Sequence, residues 1–261
     1  MKYFTYIIAI LLITSCSAPK EQSKEMPMTQ EETKRSFPEN LQKVLDAHGG
    51  MDKWNSFAAL TFGIEKDFGT EINHVNLWDR RDYIKGENFE MGFDGKDIWL
   101  KADTSYKGNA IFYHNLMFYF YAMPFLLADD GIIYSEDEPL EFEGKSYPAI
   151  HISYEKGVGA SDLDEYILYY DPETYQMAWL GYTATYFSKE RKKQFNKIRY
   201  DDWVDVEGVL LPQSISWYKV EEEKVTEPRN KVVFSELALM KDAHRDGTFA
   251  MPEGGEVMTE E

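Results

Sequence analysis

The sequence predicts a mainly antiparallel β protein with a few helices, folded as one domain behind an N-terminal leader. Three observations predict it. From Ala59 to Met240 apolar residues recur mostly with period two, the spacing of a strand that turns one face to a core. Turn signals of known chemistry separate these runs at Asp67-Phe68-Gly69, Asp94-Gly95, Asp171-Pro172-Glu173 and Glu207-Gly208. The connections are short, so strands adjacent in sequence are expected to pair as antiparallel neighbours.

Composition narrows the function. The 261 residues carry a formal charge of −18, which argues against nucleic acid and against a polybasic hold on an anionic membrane. One Cys in the whole chain leaves no intrachain disulfide and no Cys-based metal cluster. With 16 Phe, 18 Tyr and 6 Trp, the chain has enough large side chains for a packed core and for a lined pocket as well.

In chain order, residues 1–16 are an address. Met1-Lys2 is a short positive start, Tyr3 to Ile13 an apolar run, and Thr14-Ser15-Cys16 a small-residue end, the order of a secretory signal. The run is shorter than the roughly 20 residues a spanning helix needs. Ile13-Thr14-Ser15-Cys16 resembles the bacterial lipobox, which implies that Cys16 is acylated, becomes the first residue, and anchors the protein to a membrane of the cell envelope. The outer membrane is the expected site, with the protein in the periplasm or on the surface. Residues 17–36, polar with Pro19 and Pro27, read as a flexible tether.

Residues 37–251 are expected to form the domain. Phe37-Pro38-Glu39 opens a helix to His48, with Leu41, Val44 and Leu45 on one face and Gly49-Gly50 as the stop. His48 is expected to complement the helix dipole with its charge. Strands follow at Ala59–Phe68, Ile72–Arg81, Tyr83–Phe93 and Asp97–Ala102, then at Leu140–Phe142, Tyr147–Tyr154, Glu165–Tyr170, Gln176–Phe187, Phe195–Val206, Val209–Val220 and Lys231–Met240. The acidic, Gly-rich residues 252–261 are expected to fray.

Two of these strands are unusual. Glu165–Tyr170 and Gln176–Phe187 are apolar or aromatic on both faces, so both faces must be covered or must line something. The cover is expected in the interruption. Gly108 to Ala128 is 21 residues without a charge, but Gly108, Asn109, His114, Asn115 and Pro124 speak against a membrane span. A helix at Ala110–Ala122, broken at Met123-Pro124 and followed by a short turn, is expected to lie in the concavity of the sheet and to shape an apolar pocket. Trp78, Trp99, Met117, Phe120, Tyr121, Phe125 and Trp179 are the candidate lining residues.

Local phrases carry two resemblances. His48-Gly49-Gly50 with Trp54, the hairpin Tyr170-Asp171-Pro172-Glu173-Thr174, and Val206-Glu207-Gly208-Val209-Leu210-Leu211-Pro212 resemble the periplasmic lipoprotein carrier and its outer-membrane receptor, the Lol factors. That resemblance implies a curved, half-open barrel of about 10–11 strands, with an N-terminal helix, a helical lid on the concave face and a cavity for acyl chains. The soluble carrier is not acylated, so Cys16 brings this chain nearer the anchored receptor or other lipid-binding lipoproteins. Tyr119-Phe120-Tyr121-Ala122-Met123-Pro124-Phe125 and Met177-Ala178-Trp179-Leu180-Gly181-Tyr182 resemble an uncharacterised family of secreted bacterial lipoproteins, which implies no activity.

Chemistry is weakly signalled. The five histidines show no His-Glu-x-x-His and no i, i+4 pair; His114 reads as a hydrogen-bonded core residue. Ser161 lacks the second Gly of a nucleophile elbow, and Asp162-Leu163-Asp164-Glu165 fails the calcium-loop pattern at Tyr166. No catalytic residue, metal or cofactor is indicated. Three functions remain: non-catalytic binding of a lipid, an acylated protein or another hydrophobic ligand; glycan binding or cleavage by aromatic and acidic residues; and a scaffold with a solid core and an unknown protein partner.

Overall fold

Residues 37–155, 163–186 and 190–259 are described in the computed structural model. Cys16, the tether, Ser161-Asp162 and Phe187 lie outside the described residues. From Phe37 onward the chain forms one unit.

The first helix, α1 (Glu39–Ala47), buries Leu41, Val44 and Leu45 on one face. It stops at His48, and the chain then turns through Gly49 at φ 110°, where a Cβ would lie 2.3 Å from the carbonyl oxygen of Gly208. Only glycine allows both that conformation and that approach. A single turn, α2 (Met51–Trp54), then buries Trp54.

Among the described residues thirteen strands follow: β1 (Ala59–Lys66), β2 (Gly69–Asn76), β3 (Asp82–Lys85), β4 (Phe89–Phe93), β5 (Ile98–Ala102), β6 (Ile132–Phe142), β7 (Lys145–Tyr154), β8 (Tyr166–Tyr170), β9 (Met177–Tyr182), β10 (Asn196–Val206), β11 (Val209–Glu221), β12 (Lys224–Met240) and β13 (Glu256–Val257). They make one antiparallel sheet in the order β13-β5-β4-β3-β2-β1-β12-β11-β10-β9-β8-β7-β6. The meander is broken twice, between β12 and β13 and between β5 and β6. β5 lies beside the β13 edge, β6 is the opposite edge, and the segment between them must cross the whole sheet.

That segment is the uncharged insert, and it shows that the sheet is curved. Laid flat, the nine spacings from β3 to β6 would measure about 43 Å. Yet this short insert bonds to Asp82 on β3, Tyr200 on β10 and Tyr134 on β6, and packs its rings on Phe62, Tyr182, Trp217 and Phe234. Strands so far apart can meet one small segment only if the sheet wraps around it. β13 and β6 do not pair, so the wrap stays open.

Several boundaries differ from expectation. Tyr83–Phe93 is two strands, β3 and β4, joined by a tight turn in which the Gly86 amide donates to the Phe89 carbonyl oxygen. β6 and β12 extend well beyond the expected segments, through Glu136-Asp137-Glu138 and through Lys224–Asn230. Residues 252–259 do not fray, because β13 pairs Glu256 with Leu100 and Val257 with Trp99. The insert is two helices rather than one, α3 (Ala110–Tyr113) and α4 (Leu116–Tyr121), followed by a 3-10 turn at Phe125–Ala128.

The sheet has two apolar faces. The inner face, with α1, α2 and the insert, holds the main core: Phe62, Leu168, Leu180, Ile198, Tyr200, Ile215 and Phe234 among others. On the outer face Leu140, Phe142, Ile167, Tyr169 and Trp179 form a separate cluster. The two-sided strands are thus covered on both sides, in different ways. On the outer side the cover is cationic: Arg199 lies over the rings of Phe142 and Trp179, and Lys197 over those of Tyr169 and Phe195.

Candidate functional site: the insert and its tyrosine rim

The insert is built by local chemistry. The Asn109 side chain caps α3 by accepting from the Phe112 amide. Asn115 then breaks the helix by taking φ 58°, a conformation Asn tolerates better than most residues. Its amide donates to Asp82 at 2.9 Å, and its side chain donates to the Arg80 carbonyl oxygen at 3.1 Å. After α4, Pro124 follows a cis peptide bond and starts the 3-10 turn.

Polar bonds hold the insert at each of its parts. Tyr113 donates to Glu71 at 2.7 Å, and Tyr200 to the Phe120 carbonyl oxygen at 2.7 Å. Tyr134 donates to the Leu127 carbonyl oxygen at 2.6 Å, and Arg80 reaches both oxygens of Asp129 at 3.0 and 2.8 Å. Between these bonds the contact is apolar. Tyr121 stacks on Phe62, Phe125 stacks on Trp54, and Phe118, 1% exposed, lies under the Arg80 guanidinium at 5.3 Å.

Among the expected lining residues, the structure brings Met117, Phe120, Tyr121 and Phe125 together in the insert, all buried in the main core. The other three are elsewhere, and each is a correction. Trp78 is 70% exposed, because β2 ends at Asn76 and Trp78 falls in the turn. Trp99 faces outward: its strand neighbours Ile98 and Leu100 point to the insert side with Met91 and Ala110, while its indole donates to the Phe249 carbonyl oxygen at 2.8 Å. Trp179 also faces outward, set there by a bulge that pairs Tyr169 with Trp179 but Tyr170 with Met177.

Three cavities are lined by described residues alone, and they lie at the ends and edges of the sheet. About 430 Å³ opens between the β1–β2 and β3–β4 turns, lined by Lys66, Phe68, Glu71, Lys85 and Phe89. About 250 Å³ lies by Phe195, Tyr218 and Arg229, and about 150 Å³ by Trp179, Arg199 and Trp203.

A rim of tyrosines beside α4 was missed in the sequence. Phe120 packs on Tyr182 at 5.1 Å and on Trp217 at 5.7 Å, and the Trp217 indole donates to the Tyr182 hydroxyl at 3.0 Å. Tyr154 and Tyr166 meet edge to face at 6.0 Å, and Tyr119 sits close enough for its charge to act on both. Burial pushes all three phenols up, so they are neutral donors at any ordinary pH. None of these three hydroxyls has a hydrogen-bond partner among the described residues. Their signal was present in the strand alternation, where Tyr154, Tyr166 and Tyr182 share the face of Ile152, Leu168 and Leu180.

His48 differs from expectation. It is buried, its Nδ1 donates to the Val44 carbonyl oxygen at 2.8 Å, and its Nε2 accepts from the Met177 amide at 3.4 Å. Burial pushes its pKa down to about 4, so it is neutral and contributes no charge to the helix end. Among the described residues, no group of three or more His, Cys, Asp or Glu converges as a metal site, and no helix is long and apolar enough to cross a membrane.

The described residues thus form an unclosed antiparallel sheet wrapped on a helical segment. Similar solved structures are a LolA superfamily protein from Nitrosomonas europaea (9% identity, 80% of this chain and 96% of that one, TM-score 0.44) and a DUF1329 family protein from Desulfovibrio piger (10%, 77% and 94%, 0.44). An outer membrane lipoprotein-sorting protein domain from Vibrio parahaemolyticus is similar over 79% of this chain and 96% of that one (8% identity, TM-score 0.36). The model of a family of unknown function, DUF6503, matches residues 100–224, from β5 through the β11–β12 turn. No curated protein matches the chain.

Proposed function

We propose that this is a lipoprotein of the cell envelope, anchored through acylated Cys16, that binds the apolar part of a lipid or an acylated molecule on the inner face of its sheet without chemistry. The insert is the element that yields. One observation carries the reading: the inner face is filled by a segment that enters from one side of the sheet and leaves at its far edge, held by separate polar bonds rather than by sheet pairing. Moving it exposes a continuous apolar surface, including Leu168, Leu180, Ile198 and Ile215, to a guest. The hydroxyls of Tyr119, Tyr154 and Tyr166 stand beside that surface as donors for ester or amide oxygens.

The tight packing around Phe118 favours a second reading, a scaffold with a solid interior. Native mass spectrometry of the full chain released gently from membranes separates the two. The binding reading predicts a non-covalent apolar ligand, or uptake of added palmitate, and loss of uptake when Leu180 is replaced by Glu in a folded variant. Protein that carries no ligand and takes up no palmitate overturns it and leaves the scaffold.

A further inference from the structure

A second site lies on the outer face, away from the insert. Lys197 on β10 is 7% exposed, and its Nζ donates to the Tyr169 hydroxyl at 2.6 Å. It stands 4.5 Å from the Tyr169 ring centre and 5.4 Å from that of Phe195. Among the described residues no carboxylate lies within ion-pair distance of it; Asp137, which acts on it from farther off, is held by His151 Nδ1 at 2.7 Å. Room for the amine comes from Gly181, where a Cβ would lie 2.9 Å from Nζ and beside Ile167 and Phe195.

A lysine serving only as a solvated cation would extend to water or to a carboxylate. This one is folded back into an apolar slot with one hydroxyl for company. We propose that Lys197 and Tyr169, over Gly181, form a site that captures a small apolar aldehyde or ketone as an imine of Lys197.

The chemistry balances without a further reactant. The neutral amine attacks the carbonyl carbon, and one Nζ proton moves to the oxygen to give the carbinolamine. The hydroxyl then leaves as water with the Tyr169 proton, the second Nζ proton returns to Tyr169, and C=N forms. The environment suits each role. Burial lowers the Lys197 pKa to about 8, so much of the amine is neutral near that pH, and burial keeps the Tyr169 phenol protonated. Ile167 and Phe195 are the apolar neighbours of the amine over Gly181.

The test is reductive trapping. The full chain is treated with benzaldehyde and borohydride at pH 8, and labelling is mapped by peptide mass spectrometry. Lys96 and Lys219 are internal controls, since their carboxylate partners raise their pKa values. The expected result is labelling of Lys197 at least about tenfold faster than of either control. Tyr169→Phe should slow Lys197 about tenfold and leave Lys96 unchanged. Lys197→Met, confirmed folded by circular dichroism, should remove only the fast label. Labelling of Lys197 no faster than Lys96, or a Tyr169→Phe protein that labels at the parent rate, would overturn the proposal and leave Lys197 as a cover for Tyr169.

Discussion

The hydroxyl of Tyr200 on β10 completes the hydrogen bonding of Phe120 in the insert. In a continuing helix the Phe120 carbonyl oxygen would accept from the amide four residues on, but that residue is Pro124, which has no N–H. Tyr200, buried in the sheet, donates instead at 2.7 Å. The residue that ends the helix thus creates the acceptor that ties it to the sheet.

Tyr200→Phe should keep the ring packing and leave that buried carbonyl unpaired. A loss of about 1–3 kcal/mol in urea unfolding is expected. A change under about 0.5 kcal/mol would mean the bond does not anchor the insert.

Tyr121 predicts the opposite sign. Its hydroxyl is buried and has no partner among the described residues, unlike those of Tyr113, Tyr134 and Tyr200. Tyr121→Phe removes an unsatisfied polar atom while keeping the stacking on Phe62. Stability should hold or rise by up to about 1 kcal/mol; a clear loss in the same urea assay contradicts the packing described.

Arg80 joins the β2–β3 turn to the end of the insert through Asp129 and covers Phe118. The pair is partly exposed, so Arg80→Met should cost global stability little, about 1 kcal/mol or less. Amide exchange across residues 116–128 should accelerate while that of β8–β10 stays unchanged, a difference readable by mass spectrometry.

His48, His74 and His244 make stability depend on pH. Burial lowers all three pKa values, and the neighbouring His244 lowers that of His74 further. A depressed folded-state pKa means that the unfolded chain takes up the proton first. Their contribution is therefore complete above 6.5 and declines as the pH falls below it; for His48 the decline runs down to about 4. For His48 the loss is on the order of 3 kcal/mol. Urea unfolding at pH 7 and pH 4.5 should show it, and His48→Asn, which retains a donor and an acceptor, should flatten the slope between them.

What was legible in the sequence follows from what is local. α1 showed in Leu41, Val44 and Leu45, and the β10–β11 hairpin in Glu207-Gly208, which take φ 56° and 84° as a tight hairpin turn requires. β6 was largely hidden because an edge strand tolerates Glu136-Asp137-Glu138, charges that discourage pairing with another chain. Much of β12 was hidden because Lys224–Lys231 is a hairpin arm with no covering layer, so its residues do not alternate. For the site, alternation separated the two faces of β5 and β9 but could not say which met the insert. Trp99 and Trp179 were thus assigned to the wrong side, a distinction that arises only from long-range pairing. Cys16 and the tether lie outside the described residues, and their roles rest on the sequence.

The most direct measurement is hydrogen exchange across residues 110–128 with and without saturating palmitate. If the insert and an apolar guest share the inner face, its amides should change protection at least about tenfold on addition of palmitate while α1 does not. Identical exchange in both conditions would contradict the account.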